Sequence, residues 1–119
     1  MILTNDQEAI RRLVRDFANA RIAPHVREWE LQGGPPRSLY EEMGSIGLMG
    51  MTVDPSYGGS GLGFISYALA MEEISAVDGG ISNMMSGNNS PVAAAIAAHG
   101  SAEQKERILP LLCSGKWLG

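Results

Sequence analysis

Apolar and charged side chains occur at helical spacing through the first thirty residues. Thr4, with Gln7 three residues later, forms a capping box, in which each side chain satisfies a backbone N–H of the other residue at the start of a helix. Charged side chains such as Arg15 and Asp16 occupy the face opposite the apolar one. Pro24 lacks a backbone N–H, and it suits the first turn of a second, continuing helix because an N–H at that position would have no helical partner. The apolar residues are Ile10, Leu13, Val14, Phe17 and Ala18 in the first helix, and Val26 and Trp29 in the second.

Glycine and proline divide the next part of the chain. The Gly-Gly-Pro-Pro run at 33–36 ends the second helix. A short third helix is predicted over 37–46 and a fourth over 64–77, with an irregular glycine-rich segment between them. The residues expected to face inward are Leu39, Met43 and Ile46 in the third helix, and Ile65, Leu69 and Met71 in the fourth.

The last helix begins at a second capping box, formed by Ser101 and Gln104. Its apolar positions are Ile108, Leu109, Leu111 and Leu112. With the segment 81–98 counted as a fifth helix, the pattern predicts an all-α protein, an orthogonal bundle of about six helices. We expect a single domain over 1–119, which is long enough for one hydrophobic core.

The 24 residues between Asp78 and Glu103 carry no formal charge. Taken as a helix, 81–98 has one bulky apolar face and one face of small or polar residues. Glycine inside a helix is unfavourable by about 1 kcal/mol relative to alanine, and Pro91 deprives the Gly87 carbonyl of its usual donor, which predicts a kink. The bulky face is Ile81, Met85, Val92 and Ile96, and the other is Met84, Gly87, Asn88, Pro91 and Ala95.

The small and polar face has two interpretations. In the structural one, small residues let neighbouring helices approach closely. In the functional one, the face borders a ligand cavity, to which Asn83, Asn88 or Asn89 offers amide hydrogen bonds. The pattern alone favours the structural interpretation.

Four glycines, at 58, 59, 61 and 63, precede the fourth helix and suggest a dinucleotide-binding loop. The G-x-G-x-x-G fingerprint, however, requires a third glycine where this chain has Phe64 or Ser66. It also follows a buried strand, and Asp54-Pro55 separates the one candidate strand from the loop. The loop is therefore predicted to be a turn with positive φ angles rather than a phosphate site.

Composition narrows the classes of function. Charged residues make up 18% of the chain, below the roughly 25% of typical soluble domains, which suggests a partly covered surface. The net charge of −4 argues against binding to nucleic acid. Cys113 is the single cysteine, and His25 and His99 lack ligand-like neighbours, so no disulfide and no metal site are expected. Without a signal peptide or an apolar run of about 20 residues, we expect a soluble, cytoplasmic protein with no membrane association.

Four segments of the chain carry a family resemblance when they are taken together. They are DFANARIAPH at 16–25, PSYGGSG at 55–61, ALAMEEIS at 68–75 and HGSAEQKERILPLLCSG at 99–115. In this order and spacing, the chain from Leu3 to Gly119 resembles the N-terminal helical domain of the acyl-CoA dehydrogenases.

The resemblance implies an enzyme of three domains: this helical domain, a β-domain and a C-terminal helical bundle. Such enzymes use FAD to oxidise the Cα–Cβ bond of an acyl-CoA thioester. A glutamate takes the α-proton, a hydride passes to the flavin, and electrons leave through an electron-transfer flavoprotein. The complete enzyme is expected to be a homo-oligomer. This sequence stops at KWLG, before the flavin-site segment of the family, so we expect the other two domains to be absent and the isolated chain to be inactive.

The resemblance also implies which residues bind substrate. The positions that line the deep end of the family's acyl pocket fall on Asn83, Met84, Gly87, Asn88 and Pro91. They coincide with the small and polar face or its border, so the resemblance favours the cavity interpretation, and Gly87 suggests room for a longer or branched acyl chain. None of the glutamates resembles a buried base, and no catalytic residue or cofactor contact is assigned.

Two other classes of function are compatible with the sequence. One is a free-standing helical interaction module without catalysis, in which the chargeless helix is a docking face. The other is the corresponding domain of a related flavin enzyme, such as an acyl-CoA oxidase or a nitroalkane oxidase.

Overall fold

The computed structural model describes all residues from Met1 to Gly119 and contains seven α-helices and no β-strand. A π-helical turn and a 3₁₀ turn join the first two helices, and a π-helical segment, Asn88–Ala93, joins the fifth to the sixth. If that last pair is counted as one interrupted helix, the bundle has six helices, and the predicted all-α class is confirmed. The helices are α1 Asn5–Phe17, α2 Val26–Gln32, α3 Arg37–Ser45, α4 Phe64–Ser75, α5 Gly79–Gly87, α6 Ala94–His99 and α7 Ala102–Cys113.

Local hydrogen bonds explain where the helices begin and end. The Thr4 hydroxyl accepts from the Gln7 N–H at 3.1 Å, and the Gln7 side chain accepts from the Thr4 N–H at 2.9 Å. Ser101 and Gln104 form the same reciprocal pair, at 3.2 and 2.9 Å. α2 ends at Gly33, whose φ of 96° is one that a residue with a Cβ adopts rarely. The capping boxes and the glycine stop predicted from the sequence are therefore confirmed.

The core consists of two clusters of buried apolar side chains. The larger joins α1, α3, α4, α5 and the segment between α3 and α4. The smaller lies where α7 meets the π-helical segment. Among the fully buried side chains are Val14, Met43, Met49, Ile74 and Met85 in the larger cluster, and Leu109 in the smaller.

Three residues predicted to face inward lie at the surface instead. Leu13 is 51% exposed, Ile46 is 40% exposed and Ile65 is 41% exposed. In α4 the buried face is formed by Ser66, Leu69, Ala70 and Ile74. Because α4 carries apolar residues on more than one face, periodicity alone does not select the face that packs, and the neighbouring helices decide it.

The bundle is a slab whose principal extents are 41 × 38 × 19 Å. Its thickness is about two helix diameters, so most helices have one face at the surface. On the α1–α4 side the surface is charged. Arg15 binds Glu73 through two hydrogen bonds, at 3.0 and 2.8 Å, and Arg21 binds Glu42 in the same way, at 3.0 and 2.6 Å. These pairs tie helices that are distant in sequence.

The Arg15–Glu73 pair predicts an acid-dependent loss of stability. The hydrogen bond from Arg15 lowers the pKa of Glu73 below its ordinary value of 4.5. A lowered folded-state pKa stabilises the fold above the unfolded-state pKa, and that stabilisation disappears as the pH falls through the folded-state value. We therefore expect Glu73→Gln to be less stable than the parent at pH 7 and to approach it as the pH falls below the ordinary pKa of 4.5 and through the lowered pKa of the folded state. Urea unfolding followed by far-UV circular dichroism at several pH values measures this difference.

Glu72→Gln is the matched control, since Glu72 is exposed and forms no ion pair. Its stability is expected to follow that of the parent at every pH. A Glu73→Gln variant whose deficit stays constant from pH 7 to pH 3 would contradict the assignment of the pH dependence to this pair.

Candidate functional site

The chargeless segment is helical at both ends and broken in the middle. α5 runs to Gly87, and α6 begins at Ala94. Between them Ser90 has extended dihedral angles, φ −150° and ψ 117°, directly before Pro91. Proline lacks an N–H and disfavours helical geometry in the residue that precedes it. The kink predicted at Pro91 is present, but the single helix predicted over 81–98 is in fact two helices that flank this break.

Two consecutive asparagines at the break are buried and fully hydrogen-bonded. The Asn88 amide donates to the carbonyls of Met49 and Leu112, at 2.8 and 3.0 Å, and its oxygen accepts from the Gly119 N–H at 2.9 Å. Asn88 is 0% exposed. An amide that is removed from water must find partners inside the protein, and this one has found all three there.

Asn89 is held in the same manner. Its amide donates to the carbonyls of Leu48 and Met85, at 2.8 and 2.9 Å, and its oxygen accepts from the Met51 N–H at 2.7 Å. Neither asparagine side chain is free to bind a ligand. For Asn88 this corrects the sequence-based assignment to a substrate-binding surface, because the side chain points into the core. The sequence pattern of bulky and small residues does not show that the Asn88 side chain points inward.

The other four predicted site residues are accessible at the surface to different degrees, and Met84 also packs against the larger core cluster. Asn83 and Pro91 are exposed, and Met84 and Gly87 are partly buried. A Cβ added to Gly87 would meet nothing within 4 Å, so the space beside it is open. The close helix approach of the structural interpretation is therefore absent at Gly87. We call Asn83, Met84, Gly87 and Pro91 the open face.

A cleft adjoins the open face at Met84. It has a volume of about 650 Å³ and lies between the end of α2, the loop at 33–35, α3 and the start of α5. Trp29, Tyr40 and Ile81 supply its apolar lining, and Glu30 and Asp78 give it a negative charge with no lysine or arginine among its residues. Burial, and secondarily the charge of Asp78, raise the pKa of Tyr40, so its phenol stays neutral.

The contribution of Trp29 and Tyr40 to this cleft was not anticipated from the sequence. Both residues lie on helices whose periodicity indicated only core packing. The one available signal was the Gly-Gly-Pro-Pro run, which separates α2 from α3 and leaves the space between them.

The glycine loop forms the predicted turn, with positive φ angles of 87° at Gly58 and 62° at Gly61. Its backbone N–H groups bind carbonyls of the loop and of the segment before it. The acceptors are Pro55 for Gly58, Asp54 for Gly59, Gly50 for Ser60, Val53 for Gly61 and Met51 for Leu62. A phosphate-binding loop needs such N–H groups free, and here they are occupied.

The structure contains no group of three or more His, Cys, Asp or Glu side chains that could hold a metal ion. Cys113 is buried, which raises the pKa of its thiol and keeps it protonated. Glu42 and Glu73 have lowered pKa values because arginine side chains bind them, which is the opposite of a carboxylate poised to accept a proton near neutral pH.

No helix is both long and apolar enough to cross a lipid bilayer.

Comparisons with known proteins give a consistent result. The sequence profile of the family described as acyl-CoA dehydrogenase, N-terminal domain, matches residues 4–116. A probable acyl-CoA dehydrogenase of Bacillus subtilis is 39% identical over 117 residues, which are 98% of this chain and 31% of that protein.

Solved structures match the fold as closely. Glutaryl-CoA dehydrogenase of Mycobacterium smegmatis in complex with FADH2 has a TM-score of 0.93 at 35% identity, covering 98% of this chain and 30% of that one. A chain in a structure of the electron transferring flavoprotein of Acidaminococcus fermentans has a TM-score of 0.94 at 37% identity, covering 100% and 31%. This chain therefore spans about a third of the length of its relatives.

The open space at Gly87 predicts that a methyl group is accepted there. Gly87 has helical dihedral angles, φ −58° and ψ −39°, and alanine is preferred over glycine in helices by about 1 kcal/mol. We expect Gly87→Ala to raise the free energy of unfolding of this chain by about 0.5–1 kcal/mol. Urea unfolding measures the change.

Gly50→Ala is the contrasting variant, because a Cβ at Gly50 would overlap the Cys113 sulfur. It is expected to lower stability. A destabilised Gly87→Ala would show that the open face is closed in solution.

Proposed function

The chain belongs to the acyl-CoA dehydrogenase family as its N-terminal domain, and we propose that it supplies one wall of the acyl-binding pocket in a longer, FAD-dependent enzyme. That enzyme oxidises the Cα–Cβ bond of an acyl-CoA thioester. The observation that carries this proposal is the open face, an uncharged helical surface that ends in unfilled space at Gly87.

The chemistry of the open face suits an acyl chain. Burying hydrocarbon surface is favourable by about 25 cal/mol for each Å² removed from water. A charged pocket wall would offset part of this free energy, because its charged groups would also be removed from water. α5 and α6 carry no Asp, Glu, Lys or Arg in a protein whose other helices do. Met84 adds a flexible side chain that adapts to ligands of different shape. Asn83, at the edge of this face, is the one member whose exposed amide remains available to a polar group on the substrate.

The asparagine pair gives this wall its rigidity. Asn88 and Asn89 anchor the back of the helix to the segment 48–51, so Gly87 and Met84 present their outward sides from a fixed position. Asn88 thus supports the proposed wall from behind rather than contacting the substrate.

FAD is the cofactor of the proposed enzyme, and we expect this chain alone to bind it weakly or not at all. The glycine loop uses its N–H groups internally, and the cleft beside Met84 carries negative charge, which is unfavourable for a pyrophosphate. The groups that bind the flavin and the base that takes the α-proton would come from the remaining part of the longer protein. By itself the chain is proposed to be inactive.

The partners follow from the same proposal. They are an acyl-CoA substrate, the other domains of the same polypeptide, further copies of the complete enzyme and an electron-transfer flavoprotein as electron acceptor. The similar chain in the Acidaminococcus fermentans structure supports the last of these, since that structure is described as an electron transferring flavoprotein.

Replacing Gly87 with a long side chain tests the pocket directly. In the polypeptide extended to the length of its relatives, Gly87→Glu is expected to shift the preference toward shorter acyl chains. Each excluded methylene removes about 0.8 kcal/mol, so displacing two of them lowers kcat/KM for the longest good substrate roughly tenfold. A series of acyl-CoA thioesters assayed with an artificial electron acceptor measures the profile.

The control for charge is Ala102→Glu, which places a glutamate at an exposed position on α7. It should leave the profile unchanged. An unaltered chain-length profile in Gly87→Glu would remove Gly87 from the pocket, and a lack of activity on every thioester by the parent would refute the enzyme assignment.

Flavin retention separates the domain from the complete enzyme. The 119-residue chain incubated with FAD is expected to elute colourless from gel filtration, since it lacks groups that hold the isoalloxazine. The extended polypeptide should elute with visible flavin absorbance. Stoichiometric flavin on the short chain would contradict the prediction and place part of the cofactor site within it.

A further inference from the structure

The Asn88 side chain connects three parts of the chain that are distant in sequence. From the junction of α5 with the π-helical segment it reaches Met49 in the segment after α3, Leu112 at the end of α7, and Gly119. Asn89 makes an equal number of hydrogen bonds, but all of them go to residues 48–51 and to Met85. Of the two asparagines, only Asn88 therefore forms a hydrogen bond to the part of the chain that follows α7.

The segment 116–119 is also attached by the Leu118 side chain, which is partly buried against the larger core cluster, and by two backbone contacts. The Arg37 guanidinium donates to the Lys116 carbonyl at 2.8 Å, and the Trp117 N–H donates to the Leu111 carbonyl at 3.1 Å. Trp117 itself is 49% exposed. At Gly119 the contacts are the Asn88 hydrogen bond and the Val92 side chain, which lies so close that a Cβ on Gly119 would overlap it. With Leu118 packed against the core, the path of the chain at Gly119 itself depends on Asn88 and Val92, two side chains of the π-helical segment.

We infer that Asn88 is a positioning residue, which sets the direction of the polypeptide at Gly119 relative to the open face. The inference rests on the proposed function, because direction matters only if a further part of the enzyme follows. A pocket closed between two walls requires a defined distance between them. Asn88 is one residue from Gly87. Its hydrogen bond to Gly119 therefore sets the position of the next part of the chain relative to the proposed pocket wall.

The two asparagines provide a matched pair of variants. Asn88→Leu and Asn89→Leu each remove one buried amide with three hydrogen bonds, so both are expected to destabilise the fold to a similar degree. Only Asn88→Leu should release Gly119. In the 119-residue chain, the ¹H–¹⁵N heteronuclear NOE of Gly119 is expected to fall toward the values of a free terminus in Asn88→Leu and to stay near the parent value in Asn89→Leu. Equal NOE values in the two variants would overturn the inference.

A second pair acts from the other end of the bond and keeps the test decisive if Asn88→Leu does not fold. Gly119→Ala and Gly119→Pro both place a Cβ against Val92, but only proline removes the N–H that Asn88 accepts. The NOE of Leu118 is expected to fall further in Gly119→Pro than in Gly119→Ala. Equal values would show that the hydrogen bond does not hold the segment.

Kinetics in the extended polypeptide give a readout that a purely structural role would not change. At a temperature where both variants are folded, Asn88→Leu is expected to lower kcat/KM for the preferred acyl-CoA about tenfold more than Asn89→Leu does, which corresponds to about 1.4 kcal/mol. The visible spectrum of bound flavin should shift in Asn88→Leu alone. Equal losses would contradict the positioning role. If the parent polypeptide oxidises no acyl-CoA, the proposed function fails, while the NOE comparison still decides whether Asn88 directs the chain.

Discussion

The buried amides of Asn88 and Asn89 are the constraint on which the remainder of the structure depends. Together they make six hydrogen bonds, all of them to backbone groups. A buried amide without partners costs a few kcal/mol, so an arrangement that separates any of these backbone segments is strongly disfavoured. The segment after α3, the end of α7 and the residue Gly119 consequently meet at one point, beside the break in the chargeless helix.

The residues that α5 buries determine which of its residues remain at the surface. Successive residues of a helix are rotated by about 100°, so when Ile81, Met85 and Asn88 point into the bundle, Gly87 points away from it. Met84 lies at the boundary, partly buried against the larger core cluster. The slab is only about two helices thick, and this second side of α5 remains at the surface. A surface without charge is unusual for a free helix, and it is expected where further protein and an apolar ligand cover it.

The ion pairs and the unpaired carboxylates lie in different parts of the molecule. The arginine–carboxylate pairs link α1 to α4, and the turn after α1 to α3, at an exposed edge. Exposed pairs of this kind contribute little stability individually. The bidentate geometry of each pair fixes the orientation of its two side chains. The arginines also lower the pKa values of Glu42 and Glu73, which keeps both carboxylates ionised at neutral pH. The cleft beside Met84 has carboxylates without such partners and is lined mainly by neutral groups.

Sequence alone determined the features that depend on neighbours within one helical turn. Such features are the capping boxes at Thr4 and Ser101, the helix end at Gly33 and the break before Pro91. Each depends on a hydrogen bond that is formed or lost between residues no more than four positions apart. Family membership was also readable, because four motifs recur in a fixed order. Tertiary structure decided which face of α4 packs, why Ile65 lies outside and why Asn88 points inward. The partners that settle those choices, such as Met49, Leu112 and Gly119, are more than twenty residues away along the chain, and no local pattern contains them.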